Sequence, residues 1–220
     1  MLKLTTMGKK EVSKYGGLML LLIILLLVCG GFFRWLVVFP LILLGFVLYF
    51  FRDPERKTPE DPTALISPAD GTITHIEKYF EKESLNCEVW RVSIFLSIFN
   101  VHLNRAPFTG TVKDIKYKKG EFLDVRDPGS LERNEYNTIV FNTSNPKLPV
   151  FAIKQIAGLI ARRIVCIVKP GDQVNAGTRI GMMKFSSRTD LLIPVENEVV
   201  WNVKIGDKVE AGATILGKLV

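Results

Sequence analysis

Two apolar runs, Gly17–Phe33 and Leu36–Phe51, stand end to end near the start of the chain, and only Arg34 interrupts them. Such a pairing is foreign to a soluble domain. Each run falls a little short of the roughly 20 residues that a lone membrane helix needs. The pattern therefore predicts either a tight helical hairpin in the bilayer or a re-entrant pair reaching partway through it. The hairpin is the preferred form, with its turn near Gly30, Gly31 and Arg34 and a kink at Pro40. One run passes into the next without a small-residue cleavage site, which argues against a cleaved signal peptide.

The pattern changes at Arg52–Pro62, RDPERKTPEDP, a charged and proline-rich connector. Beyond it, short β-type runs alternate with glycine, proline and aspartate turns. Strands are predicted at Val89–Phe95, Thr111–Tyr117, Thr138–Phe141, Val150–Ile156, Ile164–Val168 and Glu198–Val203, and a single turn of helix at Ile156–Ala161. The chain then reads as a basic N-terminus (1–16), a membrane anchor (17–51), the connector (52–62) and one mainly β domain (63–220). An internal repeat supports this: VKPGDQVNAGTRI, Val168–Ile180, matches VKIGDKVEAGATI, Val203–Ile215. Its Gly-Asp pairs suit tight turns with positive φ, and SPADGTI and APFTGTV look like matching strand starts. This resembles the hammerhead hairpins of biotinyl and lipoyl carrier domains, which implies a β-sandwich or flattened barrel.

Charge places the anchor. Lys3, Lys9, Lys10 and Lys14 precede the first run and Arg52, Arg56 and Lys57 follow the second, so both ends are expected on the cytoplasmic side of the cell membrane. The net charge of +7 lacks the dense basic run with interleaved aromatics of a nucleic-acid binder. Its basic groups fit an anionic lipid surface instead. Cys29, Cys87 and Cys166 are odd in number and widely spaced, so neither a disulfide framework nor a metal site is expected.

The chemistry centres on GMMKFSSRTDLLIP, Gly181–Pro194, where Ser186 and Ser187 sit between apolar runs. At such a junction the Ser187 hydroxyl can attack the carbonyl of Ser186, given a base to take its proton. His102 in FNVHLNRAP is one of two histidines in the chain and has the ordinary pKa range for that task. Asp70 in SPADGTI is of the type that orients an imidazole. His75 reads as a surface residue.

Together with FFRDPER (Phe50–Arg56), ERNE (Glu132–Glu135) and QIAGLIARRIVC (Gln155–Cys166), these segments resemble phosphatidylserine decarboxylase of the short bacterial and archaeal type, from about Phe50 to Val220. The resemblance implies self-cleavage between 186 and 187 into two chains that stay together as a heterodimer. It also implies a covalent pyruvoyl cofactor made from Ser187, which forms a Schiff base with the serine amine of the lipid. It assigns His102 and Asp70 to the reaction, phosphatidylserine as the membrane substrate, phosphatidylethanolamine and carbon dioxide as products, and leaves room for a homo-oligomer. Arg105, Arg162, Arg163 and Arg188 are candidate contacts for the phosphate or carboxylate. The chain departs from the family at two places. Ser186 stands where the family has glycine, which opens a processing-deficient alternative, and Phe99 stands where some relatives carry a second histidine. Archaetidylserine or a related serine lipid is an alternative substrate. A lipoyl-like carrier using Lys184, or a membrane adaptor, is the competing class.

Overall fold

The computed structural model describes residues 3–125, 127, 129–159, 163–184 and 187–220, with only the backbone at 32 and 33. It divides into Met1–Glu55 and Arg56–Val220, a boundary inside the connector.

The first unit is a helical hairpin. Helix α1, Lys9–Cys29, has 21 residues and exposes Leu18, Leu21, Ile24 and Val28 to its surroundings. At 1.5 Å per residue it is about 30 Å long, enough to cross a hydrocarbon core. Gly30 and Gly31 turn the chain with φ of 65° and 57°. A 3-10 segment, Gly31–Val37, then leads into α2, Val38–Phe50, whose 13 residues span only about 20 Å. The hairpin closes where Thr5 N donates to Phe51 O (2.9 Å) and Asp53 N to Lys3 O (2.7 Å). A helical pair is therefore present, but only α1 is long enough to span. Pro40, where the sequence placed a kink, lies in the first turn of α2, just past the change from 3-10 to α-helix at Val37 and Val38.

The second unit is built from antiparallel strands. In chain order they are β1 Ala64–Ile66, β2 Gly71–Glu81, β3 Cys87–Leu96, β4 Leu103–Arg105, β5 Gly110–Lys118, β6 Tyr136–Asn142 and β7 Val150–Ala157. There follow β8 Arg163–Cys166, β9 Gln173–Val174, β10 Arg179–Lys184, β11 Ser187–Pro194, β12 Val199–Trp201, β13 Lys208–Val209 and β14 Ile215–Leu219. Eight of them form one sheet in the order β13-β2-β3-β11-β7-β6-β5-β9, and two three-stranded sheets, β4-β10-β8 and β1-β14-β12, complete the body. The core lies on one face of the large sheet, where Leu191 and Ile193 meet Ile94, Ile139, Ile153, Phe141 and Phe151. The helical turn expected at Ile156–Ala161 is corrected at its start, where Ile156 and Ala157 end β7, while 160 and 161 lie outside the described residues; the short helix of the β domain is α3, Ser130–Arg133.

The repeat read in the sequence is an internal two-fold. Gly171 N donates to Val112 O and Gly206 N to Ile73 O, each at 2.8 Å, and both glycines have φ near 90° (93° and 95°). Asp172 and Asp207 each accept from the backbone N–H three residues earlier, at 2.8 and 2.9 Å. The relation is reciprocal at the centre, where Ile66 N donates to Pro107 O and Arg105 N to Pro68 O. Strands β2 and β5 even share a bulge, at Ile73/His75 and Val112/Asp114.

Candidate active site

Ser187 is the first residue of β11, in register with Leu96 of β3 on one side and Ala157 of β7 on the other. It is fully buried, and its Oγ has no hydrogen-bond partner among the described residues. An unsatisfied buried hydroxyl costs about 1–3 kcal/mol. Ser186, the other half of the expected cut, lies outside the described residues, as does Arg162.

His102 sits just ahead of β4, and its carbonyl accepts from Met183 N (3.0 Å) on β10, the strand whose chain leads on to Ser187. The imidazole is completely buried. Its Nδ1 lies 2.9 Å from Asn100 O. A carbonyl can only accept, so Nδ1 carries the proton and Nε2 is the basic nitrogen. The orientation that the sequence reading gave to Asp70 is thus supplied at Nδ1 by a backbone carbonyl. Asp70, also buried, accepts from Ala211 N at Oδ1 (2.8 Å) and from Arg56 Nη2 at Oδ2 (2.7 Å). Arg56 pairs with exposed Glu210 through its other amino group.

Behind these residues runs a ladder of buried amides. Asn104 Nδ2 donates to Thr189 Oγ1 (2.9 Å) and to Pro68 O (3.3 Å), Gln155 Nε2 donates to Asn104 Oδ1 (2.8 Å), and Asn137 Nδ2 donates to Gln155 Oε1 (3.0 Å). All of these side chains are buried. The Pro68 carbonyl fixes the amide of Asn104, and that choice sets Gln155 and Asn137 in turn. Nearby, Asn134 of the ERNE segment ties Leu123 to Ala157, the register partner of Ser187.

Side-chain alternation separates Ser187 and Thr189 from Arg188 and Asp190 on the opposite face of β11. There Arg188 and Asp190 form a buried bidentate pair, Nε–Oδ1 and Nη2–Oδ2 both 2.7 Å. Burial alone would push the Asp190 carboxyl up, but the Arg188 guanidinium outweighs it and holds the group below its usual value. Lys154, in register with Asp190, is pushed down by burial, against the pull of Glu83 and Asp190, and its ammonium rests 3.8 Å from the Tyr136 ring centroid. Of the remaining candidate arginines, Arg105 is buried and donates to Gly177 O (3.0 Å), and Arg163 is exposed at the start of β8. His75 is exposed beside Thr74.

The structure thus gathers Asp70, His102 and Ser187 onto segments that meet at Asn104. Arg188 keeps to the other face. Arg56, Asn104, Gln155 and Thr189 were missed as site residues, although all four stand within the quoted motifs. An open cavity of about 240 Å³ lies at Thr109, Thr143 and Asn145, around the residue that the internal two-fold equates with Asp70. Thr109 Oγ1 accepts from Ala176 N there, as Asp70 does from Ala211 N.

Comparison with known proteins gives one result throughout. The family model for phosphatidylserine decarboxylase matches residues 43–217. A phosphatidylserine decarboxylase proenzyme of Desulfotalea psychrophila is 47% identical over 180 residues, 82% of each chain. Proenzymes of the same name from Geobacter metallireducens (46% over 187 residues, 85% of this chain and 84% of the relative) and Syntrophus aciditrophicus (45% over 183 residues, 83% and 84%) are similar to it as well.

Proposed function

The chain belongs to the phosphatidylserine decarboxylase family, and from that membership we propose a self-processing, membrane-anchored enzyme that converts phosphatidylserine to phosphatidylethanolamine and carbon dioxide. The observation that supports the self-processing is the buried Oγ of Ser187 at the head of a central strand, without a hydrogen-bond partner among the described residues, together with a buried histidine on β4's leading segment whose Nδ1 donates to Asn100 O. In the proposed cut, Ser187 Oγ attacks the carbonyl carbon of residue 186 while His102 Nε2 takes the hydroxyl proton. The peptide C–N bond breaks, the proton passes to the freed amine of residue 187, and an ester joins the two halves. Loss of the α-proton of residue 187 then breaks its Cβ–O bond and releases residue 186 as a carboxylate. Water replaces the nitrogen, which leaves as ammonia, and residue 187 becomes a pyruvoyl group.

That group supplies a carbonyl that accepts the electrons left by departing carbon dioxide, so no separate cofactor is required. A fully buried position flanked by β3 and β7 suits it, because water is kept from a reactive carbonyl. The same ladders hold the two fragments together, since β3 and β7 belong to the larger one and β11 to the smaller. Asp70 is assigned to support the charge of the imidazolium, with Arg56 fixing the carboxylate. Arg105 and Arg163 remain candidates for the headgroup. Ser186 is read as compatible with cleavage, at a slower rate than glycine would allow.

The anchor is assigned to α1 and α2, with the β domain on the cytoplasmic face because positive charge flanks both apolar runs. A carrier reading is disfavoured by Lys184, which is buried in β10 and not displayed at a hairpin tip. Intact-mass analysis tests the proposal: the expected products are fragments 1–186 and 187–220, with a carbonyl reagent labelling residue 187. Ser187→Ala should leave one uncut chain without carbon dioxide release. An active enzyme that is uncut and unlabelled would overturn it.

A further inference from the structure

The amide ladder converges on one residue. Asn104 lies on β4, two residues beyond His102, and its side chain reaches β11 through Thr189, two residues beyond Ser187. Alternation along extended chain sends His102 and Asn104 to one side, and Ser187 and Thr189 likewise. The bond between Asn104 and Thr189 therefore spans the same two segments as the imidazole and the hydroxyl, one step further along each. The second Nδ2 proton goes to Pro68, two residues before Asp70, and Oδ1 is held by Gln155 of β7, the register partner of Thr189. One carboxamide thus touches the segments of all three residues assigned to the reaction.

We infer that Asn104 is a positioning residue whose carboxamide sets the placement of His102 against Ser187. The inference rests on the self-cleavage proposed above. An apolar contact at this place would bury at lower cost and would tolerate sliding of β4 past β11. A fully buried amide does not tolerate it: a shift of one residue strips three polar groups of their partners at once. The attack of a hydroxyl on a neighbouring carbonyl demands such constancy, because reacting atoms must be held about 3–3.5 Å apart and a displacement near 1 Å can cost about 100-fold in rate.

The test uses the full-length precursor made by cell-free synthesis and follows the cut between 186 and 187 on denaturing gels. Thr189→Val keeps the side-chain shape and removes only the hydroxyl that Asn104 holds. It should slow the first-order cut by about tenfold or more, and Thr189→Ser should restore the rate. Asn104→Leu should slow it further. Ile139→Val, a core truncation that leaves every hydrogen bond of the ladder in place, serves as a control of comparable stability loss and should cut at the unsubstituted rate. If Thr189→Val cuts at the unsubstituted rate, or slows no more than Ile139→Val, the positioning role is wrong. Should Asn104→Leu fail to fold, the Thr189 pair still decides. An unsubstituted chain that never cuts would overturn the self-cleavage reading itself, a separate failure seen without any variant.

Discussion

Arg56 reaches Asp70 from within the connector, and the sequence had marked it as a positive charge beside the anchor and as the last residue of FFRDPER, without a role of its own. Its side chain is 15% exposed and that of Asp70 9%, so the pair is shielded from water, whereas Glu210 at 60% adds little. Arg56→Gln leaves the buried carboxylate with a weaker neutral donor beside Ala211 N–H. A loss of about 1–3 kcal/mol is expected in urea unfolding, together with slower maturation on gels. Unchanged values of both would detach Arg56 from the site. Ser187 and His102 could be proposed from the sequence because serine and histidine in that motif order carry chemistry in their own atoms. Asn104, Gln155 and Thr189 could not, because a neutral amide or hydroxyl has no meaning until its partner is known, and each partner here is many positions away in the chain.

At the scale of elements, β11 departs from the period-two rule. All eight of its residues are buried, polar and apolar alike, because β3 and β7 flank it and both faces are covered. Polarity on its outer face is satisfied by the pair between Arg188 and Asp190. The Asp190 carboxyl titrates below its unfolded value of about 3.9. A depressed carboxylate contributes its stability above the unfolded pKa and loses it as pH falls through the folded one. The urea midpoint of the β domain should therefore drop as pH is lowered from about 5 towards 3. Asp190→Asn should flatten that drop while costing about 3–5 kcal/mol at neutral pH, since it strands a buried guanidinium. An equally steep acid limb in the variant would place the titrating group elsewhere. The turns at Gly171 and Gly206 were readable in advance, because Gly-Asp at a tight turn is a local solution repeated twice.

For the whole molecule, the division between Glu55 and Arg56 separates an apolar hairpin from a β body with its own core. A chain beginning at Arg56 should stay folded, as judged by circular dichroism, and still cut itself. In flotation assays it should lose stable association with vesicles of anionic phospholipid. Continued flotation of the shortened chain would move the membrane contact onto the β body.

Amphipathic period, turn chemistry and charge flanks are local, and so the sequence by itself determined the helical pair, most strand positions and the internal repeat, and it singled out Ser187 as the candidate nucleophile. It also overstated one local signal, a helical turn begun at Ile156 where β7 continues to Ala157. Tertiary structure alone decided which strands are neighbours, and hence that β11 lies between β3 and β7 and that Arg188 turns away from Ser187. It alone brought Asn104, Thr189, Gln155 and Pro68 to one point. Those outcomes depend on burial and on hydrogen bonds between residues 36 to 85 positions apart, which no pattern of neighbours along the chain encodes.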